Sequence, residues 1–488
     1  MASEHKPISV AESAARDDAV SQQDAAPKLD AAVGLEAAPC SVEGEPSCEL
    51  ACGEATLECA SSSEEARAID ASKEGAMVIP NQRPCILVVH ASVGSGHRSA
   101  AIAVAEALER LIAAGDERVP ADTEVQVLDI LDYGRIKFDG DKTASAFTGP
   151  TRPIYDITWR FTLTGRLLWG GGTSWARIMF KKFTDYVAER TPLAIACTHI
   201  TAANAAVGAR MLTGQAFPIV CVPTDYEIEG WWPHRECDLF CVATEGMAET
   251  LRPRRVPERK MLITGIPVRG AAGAEYDRDA VRERLDLPHD KTVVLVMAGA
   301  HLPQPYVRFR ATMDQTLPYL KGLSDMHFVF LPGRDEEYAL HLRRAQDDMA
   351  IENMTVMGYV EDMPALMAAS DLAICKSGGL TVTECLCARL PMVLLGRSYG
   401  QEKVNTALLT SLGASMHATT PRELLATLRH LHSYPSSIKA MLVNGEALRR
   451  PDAAHDVASA TLDLVPRDCS SKRHFAEFYW GGKPAHAR

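Results

Sequence analysis

The chain lacks the run of about 18 apolar residues that a membrane-spanning helix needs. It also lacks a secretory signal, because its N-terminus "MASEHKPISVAESAARDDAV" has no basic segment followed by an apolar core. We therefore expect a cytoplasmic protein. An apolar content of 47% with 23% charged residues is typical of globular proteins.

The sequence contains no C-x-x-C pair, although it has 13 cysteines. The odd count argues against a complete disulfide framework, and a structural zinc site needs two pairs of ligands. We expect most of these thiols to be reduced and to pack as small apolar groups.

Negative charge is concentrated in the first 80 residues. They carry 16 acidic and 5 basic side chains, whereas the rest of the chain carries 47 and 46. This segment has no aromatic residue and no sustained apolar period, so it cannot bury enough surface to offset its ordering entropy. The sequence predicts a disordered acidic tail over residues 1–80.

Two successive series of apolar strands and helices follow this tail. The first begins with "CILVVHA" and closes with "MLITGIPV"; the second begins with "TVVLVMAGA" and closes with "PMVLLG". Such alternation predicts parallel sheets with helices on both faces. We expect an α/β protein with two Rossmann-like, doubly wound domains facing across a cleft, over residues 81–268 and 269–466, and a C-terminal tail over residues 467–488.

The segment from Arg152 to Val187 departs from this alternation, because it concentrates aromatic residues among arginines and lysines. Aromatic rings with basic flanks suit a lipid headgroup interface. A helical pair packed on the sheet is the alternative. The candidate membrane contacts are Trp159, Arg160, Leu168, Trp169, Arg177, Lys181 and Lys182.

The stretch "GSGHRS" follows the first strand and opens a helix. It is no P-loop, and Ser99 replaces the third glycine of a dinucleotide fingerprint, although Asp129 leaves a ribose contact open. Gly94 and Gly96 permit a close backbone approach, and the positive end of the helix disfavours a charged imidazole at His97. His97 is therefore a candidate general base, with a simple helix cap as the alternative.

A second glycine corner, "CKSGGLTVTECLC", lies between a strand and a helix of the second series. Free N–H groups in this turn can hold a phosphate, and a glutamate in the following helix can accept from ribose hydroxyls. An amide beside a carboxylate in "GQEKVN" can pair with vicinal sugar hydroxyls. Together they predict a sugar-nucleotide site. The candidate residues are Ser377, Gly378, Gly379, Glu384, Gln401 and Glu402.

These stretches resemble the monogalactosyldiacylglycerol synthase and processive diacylglycerol glucosyltransferase family, a distant relative of the peptidoglycan lipid-intermediate N-acetylglucosaminyltransferase. The resemblance runs from Pro84 to about Met416, and Ser377 replaces a proline that is common in the family. It implies a GT-B fold whose first domain receives the lipid and whose second binds a UDP-sugar. The matching stretches are "GSGHRSAA", "THITAANA", "TDYEIEGWW", "TGIPV", "GRDEEYALHL", "GYVEDMPALMAASDLAICKSGGLTVTE" and "GQEKVN".

The resemblance also implies roles for single residues. His97 would deprotonate the acceptor hydroxyl, and Glu384 would bind the ribose. His199 and Asp225 would lie on the acceptor side, and Arg269 on the donor side. Enzymes of this kind invert the anomeric centre in one displacement, without a bound metal or a cofactor.

We therefore expect an inverting glycosyltransferase that moves a hexose from a UDP-sugar to diacylglycerol or a glycosyl-diacylglycerol. Its partners would be the donor, the lipid and the anionic inner face of the cell membrane, with no nucleic acid. A UDP-sugar epimerase of the same fold and a non-catalytic nucleotide-sugar or lipid-binding protein are the alternatives. Glucose and galactose differ in one hydroxyl orientation, so the sugar stays open.

Overall fold

The computed structural model describes residues 83–135, 177–228, 232–270, 276–298, 303–398 and 400–466. The acidic tail predicted over residues 1–80 and the C-terminal tail predicted over residues 467–488 lie outside these ranges. Most of the aromatic segment, residues 152–176, lies outside them too.

The first half of the described chain is built on a six-stranded parallel sheet with the order β2-β1-β3-β4-β5-β6. The central strands are wholly buried, as expected where helices cover both faces of a parallel sheet. The strands are β1 (Cys85–His90), β2 (Glu124–Asp129), β3 (Ala194–Cys197), β4 (Ile219–Cys221), β5 (Leu239–Val242) and β6 (Met261–Ile263).

Alanine-rich helices pack against this sheet. Small side chains on the buried faces of α1 and α3 allow the helices to approach the strands closely. The helices are α1 (Ser95–Ala113), α2 (Lys181–Arg190), α3 (Ile200–Thr213) and α4 (Glu245–Leu251), with 3-10 turns at Ile130–Tyr133, Arg252–Arg254 and Glu258–Lys260.

The second half is built on another six-stranded parallel sheet, with the order β12-β11-β10-β7-β8-β9. Its strands are β7 (Thr292–Met297), β8 (Met326–Leu331), β9 (Met354–Val356), β10 (Leu372–Cys375), β11 (Met392–Leu395) and β12 (Ser415–Ala418). Its helices are α5 (Arg278–Arg284), α6 (Pro303–Leu320), α7 (Glu336–Met349), α8 (Met363–Ala369), α9 (Gly379–Cys387), α10 (Gln401–Ser411), α11 (Pro421–Ser433) and α12 (Pro435–Gly445), followed by a 3-10 turn at Glu446–Leu448.

The last described helix, α13 (Ala453–Asp463), returns to the first sheet and packs against α1 and β3. Its residues Val457 and Leu462 share one buried apolar cluster with Val104 and Leu108 of α1. The predicted boundaries assigned α13 to the second domain, so its packing partner was not foreseen. The last described helix is therefore packed against the first one, α1.

Each sheet has a switch point, where the strand order reverses. In the first sheet it lies between β1 and β3, and in the second between β10 and β7. The first glycine corner follows β1 and the second follows β10. Both corners therefore lie at the carboxyl edge of a doubly wound sheet, where such folds bind ligands.

Candidate functional site

His97 lies in the first turn of α1, at the corner that follows β1. Gly94 precedes the helix with a φ of 94°, a positive value that favours glycine. The chain can therefore turn sharply out of the sheet. This turn brings the His97 ring next to the ends of β3 and β4.

Two loops hold the Nδ1 atom of His97. It lies 3.1 Å from the carbonyl oxygen of Thr198 and 2.9 Å from Oγ1 of Thr224. Because a carbonyl oxygen can only accept, Nδ1 carries the hydrogen and Nε2 carries the lone pair. Oγ1 of Thr198 also donates to the His97 carbonyl oxygen at 2.8 Å. The ring is thus fixed, and within the described residues Nε2 has no hydrogen-bond partner.

Burial keeps His97 uncharged. Loss of hydration lowers the pKa of His97 to about 4; the hydrogen bond to Thr198 opposes this shift, and the nearby His90 adds to it. An imidazole with this pKa is neutral at pH 7. The ring bonds to loops outside α1, and Gly94 caps that helix without a side-chain hydrogen bond, so His97 is not a helix cap.

His199 packs beside the candidate base. Its Nδ1 accepts from the Thr201 N–H at 3.1 Å and so caps α3. Its ring meets the His97 ring edge-on, with centroids 4.6 Å apart. Burial lowers the pKa of His199 well below its ordinary value, and the neighbouring histidines add to this. His199 is therefore an uncharged ring that supports His97.

In the second half, the Ser377 side chain faces inward. Its hydroxyl donates to the backbone oxygen of Glu402 at 3.0 Å and lies 2.9 Å from Oγ of Ser398. Only 3% of Ser377 is exposed. This serine, which replaces the family's common proline, braces the glycine turn against the start of α10, so its hydroxyl is not a free ligand.

Glu384 lies on the second turn of α9 and is half-buried. Among the described residues its carboxylate has no hydrogen-bond partner, and burial raises the pKa of Glu384 to about 7. A half-buried carboxylate whose acceptor capacity is unused is costly for the free protein. Hydroxyl donors from a ligand would complete it.

Glu402 pairs with a lysine that the sequence reasoning missed. Nζ of Lys376 lies 2.6 Å from Oε1 of Glu402, and the two side chains are only 12% and 23% exposed. A Cβ placed on Gly378 would lie 3.8 Å from the same oxygen. Gln401 opens α10 beside them. The position of Lys376 directly before "SGG" was the signal that could have revealed this cation.

The loop after β4 reaches α9 and α10. Oδ1 of Asp225 accepts from the Gly379 N–H at 3.2 Å and from Nδ2 of Asn405 at 2.9 Å. A Cβ on Gly379 would overlap the carbonyl oxygen of Thr224, so glycine is required for this approach. Asn405 was not singled out from the sequence, although it closes the quoted stretch "GQEKVN". The loop therefore joins the two glycine corners.

Arg269 is engaged elsewhere. It follows β6, and its guanidinium lies 2.7 Å from Oε1 of Glu106 on α1. Both side chains are partly exposed, at 55% and 35%. The structure thus pairs this predicted donor residue with a helix of the first half.

The predicted membrane residues are described only in part. Trp159, Arg160, Leu168 and Trp169 lie outside the described residues. Arg177 is half-buried against α3, with Nη2 at 2.7 Å from Sδ of Met211. Lys181 and Lys182 are exposed on α2, and Lys181 pairs with Asp185 at 2.8 Å. In the part of the chain that the structure describes, no helix is long and apolar enough to cross a membrane.

Two doubly wound parallel sheets in one chain, each with a glycine corner at its switch point, define the GT-B class of fold. A solved structure from Listeria monocytogenes, assigned as a UDP-N-acetylglucosamine 2-epimerase, is similar to this chain with a TM-score of 0.50 and 14% identity. The similarity covers 78% of this chain and 96% of that one. At this identity it shows the fold alone, and it confirms the predicted architecture.

Family models match both halves. Residues 97–268 match the monogalactosyldiacylglycerol (MGDG) synthase model, and residues 293–457 match the glycosyltransferase family 28 C-terminal domain. Together the two matches span more than half of the 488 residues. The first half thus matches a monogalactosyldiacylglycerol synthase model and the second half a glycosyltransferase family 28 model, which confirms the resemblance that the motifs predicted.

Curated relatives include processive diacylglycerol beta-glucosyltransferases. The one from Staphylococcus saprophyticus is 26% identical over 271 residues, which are 56% of this chain and 66% of that protein. The one from Bacillus cereus is 26% identical over 250 residues, 51% of this chain and 63% of that protein. The matches thus span just under two thirds of the relatives' length.

Proposed function

We propose that this protein is an inverting glycosyltransferase that moves a hexose from a UDP-sugar to diacylglycerol or a glycosyl-diacylglycerol. The observation that carries the proposal is the state of His97. Its ring is neutral, its Nδ1–H is fixed on Thr198 and Thr224, and its Nε2 lone pair has no partner among the described residues. That is the state that a general base needs before it meets its substrate.

The base acts on the acceptor hydroxyl. Nε2 of His97 takes the hydroxyl proton as the oxygen forms a bond to the anomeric carbon, and the bond from that carbon to the diphosphate oxygen breaks. The products are the glycolipid and UDP. The Nδ1–H bond to the Thr198 carbonyl stabilises the imidazolium formed in this step, as an oriented acceptor does in other base mechanisms.

The donor binds at the second glycine corner. Glu384 accepts from the ribose hydroxyls, and the N–H groups that follow Gly379 at the start of α9 face the diphosphate, since the Gly379 N–H itself donates to Asp225. Lys376 supplies a positive charge beside the leaving diphosphate. Its partner Glu402 and the neighbouring Gln401 form hydrogen bonds with the sugar hydroxyls. A cation and a helix N-terminus together offset the negative charge that develops on the leaving group.

The acceptor lies at a bilayer surface, so the protein binds membranes peripherally on the cytoplasmic side. Of the predicted membrane residues that the structure describes, Lys181 and Lys182 are exposed on α2 and can meet anionic headgroups, at about 1 kcal/mol per charge near the surface. Arg177 is not part of this surface, because it packs on α3.

One experiment tests the function. The purified full chain is incubated with diacylglycerol liposomes and a panel of labelled UDP-sugars, and the lipids and nucleotides are then separated. A β-linked glycolipid with release of UDP supports the proposal, since UDP-hexose donors are α-linked and inversion gives the β anomer. Interconverted UDP-sugars formed without lipid would identify the epimerase alternative. Binding of UDP-sugar with no product would identify the binding-protein alternative.

A further inference from the structure

Asn405 is wholly buried on α10, and both ends of its side-chain amide form hydrogen bonds. Its Oδ1 accepts from the Tyr226 N–H at 3.0 Å. Its Nδ2 donates to Oδ1 of Asp225 at 2.9 Å and to the carbonyl oxygen of Ser377 at 2.9 Å. One side chain therefore connects the loop after β4 with the second glycine corner.

Neighbouring contacts join the same two segments. Oδ1 of Asp225 also accepts from the Gly379 N–H, and the Tyr226 hydroxyl lies 3.0 Å from Oγ1 of Thr383 on α9. Thr383 Oγ1 in turn donates to the carbonyl oxygen of Gly379 at 2.6 Å. The loop after β4 is thus held by α9 and α10 at two consecutive residues, Asp225 and Tyr226, which directly follow Thr224.

Thr224 connects this loop to the candidate base, His97. Its Oγ1 lies 2.9 Å from Nδ1 of His97, and its backbone passes so close to Gly379 that no other residue fits there. A shift of the loop would therefore move the base and the donor turn relative to each other. Misplacement of reacting groups by about 1 Å can cost about 100-fold in rate.

From this geometry we propose that Asp225 and Asn405 are positioning residues, which hold His97 in register with the donor turn by fixing the loop between them. This role rests on the proposed function of His97 and of the glycine corner. Neither residue touches the reacting atoms in this role. If the protein performs a different reaction, the same contacts of Asp225 and Asn405 are ordinary internal hydrogen bonds.

The key comparison is between two variants of Asp225. Asp225→Asn keeps an oxygen that can accept from both Gly379 and Asn405, so we expect kcat within about threefold of wild type. Burial raises the pKa of Asp225 to about 7, so the comparison is made at pH 8, where the group is charged. Asp225→Ala removes both bonds, and hydrogen bonds to a charged group correspond to about 10- to 100-fold. We expect kcat to fall by that factor with Asp225→Ala, while the KM for the UDP-sugar and calorimetric UDP binding change less than about threefold.

A reversed pair tests the contact itself. Asn405→Asp replaces the donor Nδ2 by an oxygen, so that two acceptor groups face each other at residues 405 and 225. We expect this variant to lower kcat by about 10- to 100-fold. Adding Asp225→Asn to Asn405→Asp supplies a donor amide, and about tenfold should be recovered. If Asn405 matters only for stability, the loss and the recovery should appear in the melting temperature and not in kcat.

A matched control is available in Asn353, which is also buried and donates to three backbone carbonyl oxygens near β8. Asn353→Asp should lower the melting temperature and leave kcat at wild-type level. Wild-type kcat in Asp225→Ala, or equal losses in Asp225→Ala and Asp225→Asn, would overturn the positioning role.

A readout without glycosyl transfer separates this proposal from the proposed function. Amide hydrogen exchange of peptides containing residues 224–228 and 377–384 should quicken together in Asp225→Ala and remain slow in Asp225→Asn. Unchanged exchange in Asp225→Ala would refute the connection. If the wild type forms no glycolipid, the proposed function fails, and exchange still decides whether Asp225 and Asn405 fix the loop.

Discussion

The titration of Glu384 yields a quantitative prediction for donor binding. Burial raises the pKa of Glu384 to about 7, so in the free protein the carboxyl is protonated below that pH and ionised above it. If the ribose hydroxyls donate to this group, the complex favours the ionised form. Donor binding then releases a proton when it occurs below pH 7, and affinity falls as the pH is lowered through 7.

The size of the effect follows from the hydrogen bonds involved. A hydrogen bond to a charged group contributes about 1.5–3 kcal/mol, and about 1.4 kcal/mol corresponds to a factor of ten. We therefore expect the affinity for UDP-glucose to be about 10- to 100-fold weaker at pH 5 than at pH 8. Glu384→Gln should bind as weakly at pH 8 as wild type does at pH 5, and its affinity should vary with pH less than that of the wild type.

Calorimetry over pH 5 to 8 measures this directly. UDP-glucose is preferable to UDP as the ligand, because its diphosphate has no terminal phosphate that titrates near pH 6. Running the titration in buffers of different ionisation enthalpy gives the number of protons released. An affinity independent of pH in the wild type, or unchanged binding in Glu384→Gln, would show that the nucleotide is not held by Glu384.

Three further predictions concern the base, the membrane and the acidic tail. His97→Ala should lower transfer by about 10²- to 10⁴-fold and leave UDP binding intact; more than a tenth of wild-type activity would exclude His97 as the base. The double variant Lys181→Glu, Lys182→Glu should sediment less with anionic liposomes, whereas Lys439→Glu, at an exposed position on α12, should sediment like wild type. Equal sedimentation of the two variants would show that α2 is not the membrane-binding surface. Removal of residues 1–80 should preserve melting temperature and transfer, because the first strand among the described residues begins at Cys85; an insoluble product would contradict it.

Local patterns were enough to predict the fold. Short apolar runs marked most of the strands, and the glycine corner before His97 marked the turn from a strand into a helix. These signals depend on residues within a few positions of one another. Hydrophobic burial and backbone conformation therefore determined two doubly wound sheets, and also placed both glycine corners at a carboxyl edge.

The sequence was less informative about which side chains are free. Ser377 and Arg177 have suitable chemistry for a phosphate or a lipid, but one braces α10 and the other packs on α3. Arg269 is likewise engaged by Glu106. Polar groups at the edge of a sheet take whichever partner the folded chain brings near, and those partners are distant in sequence.

The sequence by itself determined the two sheets, the two corners and the residue types available for catalysis. Tertiary structure decided the state of His97, because its tautomer depends on contacts with Thr198 and Thr224, more than 100 residues away, and its low pKa depends on burial in the folded chain. It also decided that Asp225 meets Asn405, 180 positions along the chain. Periodicity reports which face of an element is buried. It carries no information about which loops meet, since that depends on how whole sheets pack.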